Sequence, residues 1–343
     1  MEYVHRPRLT IVTYPANSTT TERPTTTLLQ RLDTAYVAYD IMQDPYIVEL
    51  SNQKDAISMG KLEKALLKRQ TYCLDQLKWL RNAASEVYQQ LGQWAADWYI
   101  MACMAKLRRL ATNEPLLNFE WTAKEKDHLV QCLDGIAFSM PAQSLPSLDE
   151  ASSLSPKSSR LIEILVSECS RESVGLIFVK QRATAAALAQ LLANHSATKS
   201  IFLIGSFVGG SANSSRKSRI SDLAEVKGQQ DILDDFKGGR RNLVISTSVL
   251  EEGIDVPACN VVVSFDPPGN LVSYIQRRGR ARQKKSHYVM FFPSTSCSVD
   301  QWDQLEKEMI KAYMDEERLI EGELEEESID ETDDRTFCVE STQ

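Results

Sequence analysis

The amino-acid sequence predicts an α/β protein in which an all-helical region precedes a domain built on a parallel β-sheet. From Leu28 to about Phe138, apolar residues recur every three or four positions, which is typical of amphipathic helices. Beyond a serine-rich stretch with two prolines, short runs of Val, Ile and Phe alternate with helical segments. Runs that are apolar on both faces are typical of strands buried in a parallel sheet.

The first 26 residues show neither pattern and are predicted to form an irregular linker. Their Thr- and Pro-rich stretch, PANSTTTERPTTT, can bury little apolar surface. The first ten residues, MEYVHRPRLT, contain no apolar core of the kind that a signal peptide carries.

The region 27–141 is predicted to be an all-helical domain. Two apolar stripes step along successive helices by three and four positions: Leu77, Leu80, Ala84, Val87 and Leu91, then Trp94, Trp98 and Met101. The region shows no convincing β-branched alternation of the kind that predicts strands. A second linker is expected over 142–156, because this stretch is rich in serine and contains proline.

Residues 157–295 predict a doubly wound α/β domain. Five apolar runs are candidate strands: 174–180, 199–205, 242–247, 260–266 and 287–292. Helical stretches such as TAAALAQLLANH and KGQQDILDDFK separate them. Because ligands of open parallel sheets bind at the carboxyl ends of strands, the segments after each run are the candidates for chemistry.

The net charge of −8 is unevenly distributed along the chain. The stretch from Asp315 to Asp334 contains twelve acidic residues and one basic residue, so the rest of the chain is net positive. A long charged helix is predicted over 296–327, and an acidic tail over 328–343. The overall charge therefore does not exclude a nucleic-acid partner.

The seven cysteines and four histidines are scattered and form no CxxC pair or other metal-ligand spacing, so no metal site is expected. Reduced thiols fit a reducing compartment, which predicts a cytoplasmic location, with the nucleus as a second compartment. No run of about 18 apolar residues occurs, so no membrane partner is expected.

The segment TSVLEEGIDV follows the predicted strand at 242–247. Thr247 and Ser248 supply hydroxyls and backbone amides at a strand end, which suits phosphate binding. Gly253 permits close backbone approach, and Asp255 can accept a hydrogen bond from a ribose hydroxyl or water. An ordinary capped turn between two strands explains the same residues.

The segment YIQRRGRARQ gathers arginines after a turn that contains two prolines. Arg278, Arg280 and Arg282 alternate with small residues, and Gln276 can bind a polar edge. Guanidinium groups suit bidentate contact with phosphates and neutralise charge that develops in phosphoryl transfer. The alternative is a solvated basic helix end.

The segment LIFVKQRATAAAL predicts a strand that runs into a helix. Lys180 and Arg182 lie at the junction, where a helix start favours phosphate binding. A plain surface pair of basic residues explains this junction almost equally well.

Taken together, these three segments carry a resemblance to a known family. FVKQRATAAAL, TSVLEEGIDV and QRRGRAR resemble motifs IV, V and VI of superfamily 2 RNA helicases. The longer form EEGIDVPACNVVVSFDPP…YIQRRGRAR is similar to the duplex-RNA-activated branch, which Dicer shares with the cytosolic viral-RNA sensors. Within that branch the sequence most resembles fungal Dicer-like proteins.

The resemblance implies an architecture for nearly the whole chain. It implies a RecA-like helicase C-terminal lobe, an all-α insertion domain and a C-terminal helical arm. Residues 1–26 would lead out of a first helicase lobe, and WDQLEKEMIKAYMDEE resembles the family's pincer helix. The last residues, RTFCVESTQ, resemble the first strand of a truncated dimerisation domain.

The resemblance also implies roles for the candidate residues. The parent enzyme would hydrolyse ATP, with Mg²⁺, between two lobes while it grips double-stranded RNA. Arg280 would be the arginine finger, assisted by Arg282 and Arg278, and Gln276 would contact the nucleotide or the catalytic water. Gly253 and Asp255 would approach the nucleotide. The RNA backbone would contact Lys180, Arg182, Thr247 and Ser248.

Several signatures of the complete enzyme do not occur in this sequence. It contains no GxxxxGK[ST] phosphate loop, no Asp-Glu-x-His or Asp-Glu-Cys-His box for Mg²⁺ and no paired ribonuclease III signatures. We therefore expect a fragment or truncated product that works in RNA silencing and antiviral defence with a first lobe and downstream ribonuclease III domains. The alternatives are a non-catalytic RNA-binding module and a protein-interaction module of the same fold.

Overall fold

A helical layer, formed by the helices between residues 27 and 137, packs against helices that cover a six-stranded parallel sheet in the computed structural model of the chain. This arrangement confirms the predicted α/β class. The predicted helix over 296–327 is described at only a few positions, and the tail over 328–343 lies outside the described residues. The described residues are 7–15, 26–112, 122–137, 145, 148, 153–209, 219–223, 228–251, 253–294, 304, 305, 307, 308 and 311.

The described part of the helical region consists of α1 (Thr27–Val37), α2 (Pro45–Asn52), α3 (Ala56–Lys68), α4 (Tyr72–Leu91), α5 (Gln93–Thr112) and α6 (Ala123–Ala137). The first and fourth of these begin at threonine caps. Thr26 Oγ1 accepts from the amide of Leu29 at 3.0 Å, and Thr71 Oγ1 from that of Leu74 at 3.2 Å. The apolar stripe predicted on α4 is fully buried, which confirms that it faces the core.

Gly92 ends α4 and allows the helical region to meet the sheet domain closely. Its φ is +102°, and a Cβ atom there would lie 2.5 Å from the amide nitrogen of Ser155. That amide donates to the carbonyl of Leu91 at 3.0 Å. Both the backbone conformation and the contact therefore require glycine.

The sheet is entirely parallel, with strand order β1-β6-β5-β2-β4-β3. Its strands are β1 (Arg8–Tyr14), β2 (Gly175–Phe178), β3 (Ile204–Phe207), β4 (Leu243–Ser246), β5 (Val261–Ser264) and β6 (His287–Pro293). Its helices are α7 (Pro156–Glu168), α8 (Arg182–Asn194), α9 (Gln229–Lys237) and α10 (Leu271–Arg278). Phe178 is in register with Ser246 on one side and Ser264 on the other, so three strands end at one level.

The prediction of irregular structure over residues 1–26 is wrong for Arg8–Tyr14. These residues form β1, which pairs in parallel with β6 from Arg8↔His287 to Tyr14↔Pro293. The segment LTIVTY has the β-branched composition of a strand. Because β1 lies at the sheet edge and buries only Val12 fully, its sequence lacks the continuous apolar run of a central strand.

The third strand also differs from the sequence prediction. A strand was expected within 199–205, but β3 begins at Ile204. The preceding residues form turns, in which Thr198 Oγ1 donates to the carbonyl of Leu192 at 2.5 Å and the amide of Phe202 donates to the carbonyl of Thr198. Phe202 is buried and anchors this turn, so its apolar character reflects packing outside a strand.

The helical layer grips the sheet domain at the segment 219–223. Its fully buried Ile220 donates its amide to Gln76 Oε1 at 2.9 Å. Tyr99 donates its hydroxyl to the carbonyl of Ser221, and the guanidinium of Arg219 lies 4.0 Å from the ring centre of Trp79. Both α4 and α5 also contact α8. In the part of the chain that the structure describes, no helix combines the length and apolarity needed to cross a membrane.

Candidate functional site

Three strand ends meet at the carboxyl edge of the sheet, and we call this region the strand-end edge. Lys180 follows β2, Thr247 and Ser248 follow β4, and Asp266 follows β5. The amide of Lys180 donates to Asp266 Oδ2 at 2.6 Å, which ties two of these ends together. The side chains of Lys180 and Ser248 are exposed, and Thr247 is half-buried. The structure therefore brings three of the four candidate RNA-binding residues to one edge.

Arg182, the fourth candidate, is engaged by other protein groups. Its Nη2 lies 3.0 Å from Asp222 Oδ2, and its Nη1 donates to the carbonyl of Gly209. Asp222 belongs to the segment 219–223 that the helical layer grips. This geometry makes Arg182 a strut between α8 and that segment.

The segment from Thr247 to Asp255 leads from the carboxyl edge towards the arginine-rich segment. It starts with a short 3₁₀ turn at Ser248–Leu250. Gly253 has φ +76°, and nothing lies within 4 Å of a Cβ atom built there, so backbone conformation alone favours glycine. The Asp255 side chain is 86% exposed and lies 3.9 Å from Lys237 Nζ.

Arg277 forms a buried ion pair with Glu251. Its Nε donates to Glu251 Oε1 at 2.8 Å, and its Nη1 donates to the carbonyl of Asp266 at 2.8 Å. The second carboxylate oxygen of Glu251 accepts from Ser273 Oγ at 2.8 Å. Both charged side chains are less than 10% exposed. The pair therefore fastens α10 to the segment 247–255.

Arg280 reaches the same segment from beyond the end of α10. Its Nη2 donates to the carbonyl of Glu251 at 2.8 Å, and its Nη1 to that of Ile254 at 3.0 Å. The residue is only 8% exposed. Burial first, and then the positive charge of Arg282, lowers the pKa of Arg280 from its ordinary value. An arginine nevertheless stays protonated at neutral pH.

The remaining residues of this segment are more accessible. Arg278 lies 5.1 Å from the ring centre of Tyr274, and its Nη1 is 3.4 Å from the tyrosine hydroxyl. Arg282 is exposed and donates from Nε to the carbonyl of Gly279 at 2.9 Å. Gln276 is half-buried on α10. Arg278 and Arg282 thus keep guanidinium groups near solvent.

Comparison with known proteins assigns the sheet domain to a family. Residues 156–285 match the model of the helicase conserved C-terminal domain. The whole chain is 40% identical to Dicer-like protein 2 of Neosartorya fischeri and 37% identical to Dicer-like protein 2 of Phaeosphaeria nodorum. Over 96% of its length it is 40% identical to Dicer-like protein 2 of Aspergillus fumigatus.

The chain is the helicase C-terminal part of a Dicer-like protein of the fungal type. It spans about a quarter of the length of these relatives, 24% for the first two that match. Among solved structures, the C-terminal domain of the DEAD-box protein Dbp5 aligns with 40% of this chain and with 70% of its own length. The aligned residues are 25% identical, and the TM-score of the alignment is 0.31.

In this Dicer-like chain, sequence reasoning missed Glu251 and Arg277 as a pair. The burial of Arg277 had a signal, because it lies three positions after Tyr274 and so faces the sheet from the same side of α10. The partner had none, since Glu251 and Arg277 are distant in sequence and meet only in the folded chain. Within the ranges that the structure describes, no group of three His, Cys, Asp or Glu residues is placed to hold a metal ion.

Proposed function

We propose that this chain supplies one face of an ATP site and one part of a double-stranded RNA channel in a Dicer-like helicase module. One observation carries the proposal. The segment 247–255 starts at the exposed strand-end edge and, further along, its carbonyls accept both terminal nitrogens of Arg280. A single backbone segment therefore serves both candidate regions.

The residues near Arg280 fit the groups of a nucleotide. The guanidinium groups of Arg278 and Arg282 suit phosphate oxygens, and the exposed carboxylate of Asp255 suits a ribose hydroxyl. ATP supplies the phosphoryl group when bound. Each terminal nitrogen of Arg280 carries two N–H bonds and donates one of them to a carbonyl of the segment 247–255, so the second would stabilise the charge that develops on the phosphoryl group. An arginine finger contributes roughly 10³–10⁵ in rate. The Mg²⁺ ligands would lie on a first lobe, because this sequence has no Asp-Glu-x-His or Asp-Glu-Cys-His box.

The strand-end edge fits an RNA backbone. Lys180 offers an exposed ammonium, and Ser248 and Thr247 offer hydroxyl donors. Contacts of this kind bind phosphates without reading sequence. This suits duplex RNA, because side chains cannot read the bases in its deep major groove. We place this activity in RNA silencing and antiviral defence, beside ribonuclease III domains of the parent protein.

Hydrogen exchange of the chain with and without a blunt RNA duplex tests this function. We expect slower exchange of amides at 180–184 and 247–250 when the duplex is present, because these amides lie at the proposed contact edge. A single-stranded RNA of the same length is the control and should protect them less. No protection at these amides at low salt would contradict the proposal.

A second candidate function, a protein-interaction module, is favoured by exposed apolar side chains on one helix. Helix α3 exposes three large apolar side chains: Ile57 at 72%, Met59 at 61% and Leu67 at 83%. Exposed apolar side chains of this size occur at protein interfaces. This candidate would be preferred if the duplex gives no protection at the strand ends.

A further inference from the structure

The Glu251–Arg277 pair is more completely bonded than a simple surface ion pair. Both carboxylate oxygens of Glu251 are used, one by Arg277 and one by Ser273. Arg277 also donates to the carbonyl of Asp266 and lies 3.3 Å from Ser264 Oγ. Desolvation offsets much of the attraction between two buried charges, so such a pair adds little net stability and its role is better sought in fixing geometry.

The pair reaches the strand-end edge on one side. Asp266, whose carbonyl accepts from Arg277, uses its carboxylate for two other contacts. Its Oδ2 accepts from the amide of Lys180 at 2.6 Å, and its Oδ1 lies 3.0 Å from Lys157 Nζ. Lys157 is almost completely buried and also donates to Gln90 of α4, so the contacts continue into the helical layer.

On its other side the pair reaches Arg280. The acceptor there is the main-chain carbonyl of Glu251, at 2.8 Å from Arg280 Nη2. Substitution of the Glu251 side chain leaves this acceptor chemically unchanged. A response of Arg280 to such a substitution would therefore report a movement of the segment 247–255.

We propose that Glu251 and Arg277 are positioning residues that couple the strand-end edge at Lys180 and Asp266 to the placement of Arg280. The identity of the ligands at the two ends rests on the proposed function, but the coupling itself does not. The contacts form a continuous path through Asp266, Arg277 and Glu251, each link being between 2.6 and 2.8 Å. Displacement of Asp266 would shift Arg277, and the shift would pass through Glu251 to the carbonyl that holds Arg280.

Nitrogen NMR of the full chain, labelled with ¹⁵N-arginine, tests the coupling. The Nε–H signal of Arg280 is assigned by its loss in Arg280→Lys. Asp266→Asn perturbs the edge without any ligand, and we expect it to shift the Arg280 signal and to speed its hydrogen exchange several-fold. When Glu251→Gln is already present, Asp266→Asn should still change the Arg280 exchange rate, but the fold-change should be at least three times smaller than without Glu251→Gln.

The matched control is Asp235→Asn. Asp235 pairs with Arg240 and Arg241 outside this path, so it should leave the Arg280 signal unchanged. If Asp266→Asn leaves Arg280 unchanged, or changes it equally with Glu251→Gln present, the coupling is overturned. If circular dichroism shows that Glu251→Gln does not fold, Ser273→Ala replaces it, since it removes only one of the contacts to Glu251 and should weaken the response partially. An undiminished response would then overturn the coupling.

Duplex RNA as the perturbation separates this inference from the proposed function. If Asp266→Asn moves Arg280 but the duplex does not bind, the coupling stands and the proposed function fails. If the duplex binds at the edge and Arg280 does not respond to either perturbation, the function stands and the coupling fails.

Discussion

Arg182 Nη2 and Asp222 Oδ2 lie 3.0 Å apart and join the start of α8 to the segment that the helical layer holds. Each side chain is about one-third exposed, so solvent screens the pair, and such pairs contribute about 0.2–1 kcal/mol. We expect Asp222→Asn to lower the free energy of unfolding by an amount in this range. Arg182→Ala should lower it more, because Arg182 also donates to the carbonyl of Gly209. Urea titration measures both. A loss confined to Arg182→Ala would contradict the strut.

Lys180→Ala should weaken duplex RNA binding more than Arg182→Ala does. The Lys180 ammonium is exposed at the strand ends, whereas the Arg182 guanidinium is occupied by protein acceptors. Loss of one phosphate contact should reduce the slope of log affinity against log salt by about one. Fluorescence anisotropy at several salt concentrations measures this. Equal losses for both variants would place Arg182 on the RNA instead.

The chain alone should show no RNA-stimulated ATP turnover. Its sequence carries no GxxxxGK[ST] loop to hold the phosphates and no Asp-Glu-x-His or Asp-Glu-Cys-His box for Mg²⁺. Phosphate release, assayed with and without duplex RNA, measures this. Clear duplex-dependent turnover by the purified chain would refute the assignment of a shared ATP site.

Arg280→Ala should abolish ATP turnover by the complete helicase module while duplex affinity stays within about two-fold. The guanidinium is held by the carbonyls of Glu251 and Ile254, whereas the proposed RNA contacts are Lys180, Thr247 and Ser248. Arg280→Lys should restore little, because an ammonium cannot bridge the two acceptors with a planar fork. Steady-state turnover is measured beside RNA binding. Normal turnover by Arg280→Ala would show that Arg280 only holds the segment 247–255 in place.

Gly253→Ala should lower ATP turnover by the complete helicase module by more than its effect on the stability of the chain explains. A left-handed conformation costs a non-glycine residue about 1–2 kcal/mol. Gly239 is a matched control, because its φ of +73° and its open surroundings resemble the +76° and open surroundings of Gly253. Urea titration should give the two alanine variants similar losses, and only Gly253→Ala should lower turnover. Equal turnover would show that the conformation at Gly253 serves folding alone.

The chain should lose stability as the pH rises above 9. Burial raises the pKa of Cys103 from 9.0 to about 12, so the unfolded chain releases this proton at a lower pH than the folded chain. The stabilisation from the retained proton is complete below pH 9 and is lost between 9 and 12 by about 1.4 kcal/mol per pH unit. Urea titrations at pH 8 and 10 measure the slope. Cys103→Ala should make it shallower, and an unchanged slope would contradict this origin.

The central strands and the helical layer were predictable because each buries a continuous pattern. Val261, Val262 and Val263 are buried in β5, and Leu77 and Leu80 are buried on α4, as their spacing indicates. The edge strand β1 was missed because an edge strand buries one face only weakly. Its neighbouring Thr- and Pro-rich residues also favoured a linker prediction.

The candidate site was predictable in its residue types but not in its pairings. Strand ends placed Lys180, Thr247 and Ser248 together, since parallel strands end at one edge. The engagement of Arg182 by Asp222 depends on a tertiary contact between segments 40 residues apart. No local pattern encodes such a contact, and proposed roles of the arginines as nucleotide ligands remain predictions.

The pairing of β1 with β6 has a consequence for the order in which the parts of the protein fold during synthesis. Arg8 leaves the ribosome well before its partner His287, which emerges only after nearly all the described residues have been synthesised. Domains fold from the N-terminus as the chain emerges, and pairings distant in sequence form late. The helical layer, which lies between them in the sequence, can fold first. The backbone of β1 remains without its strand partner until β6 has been synthesised.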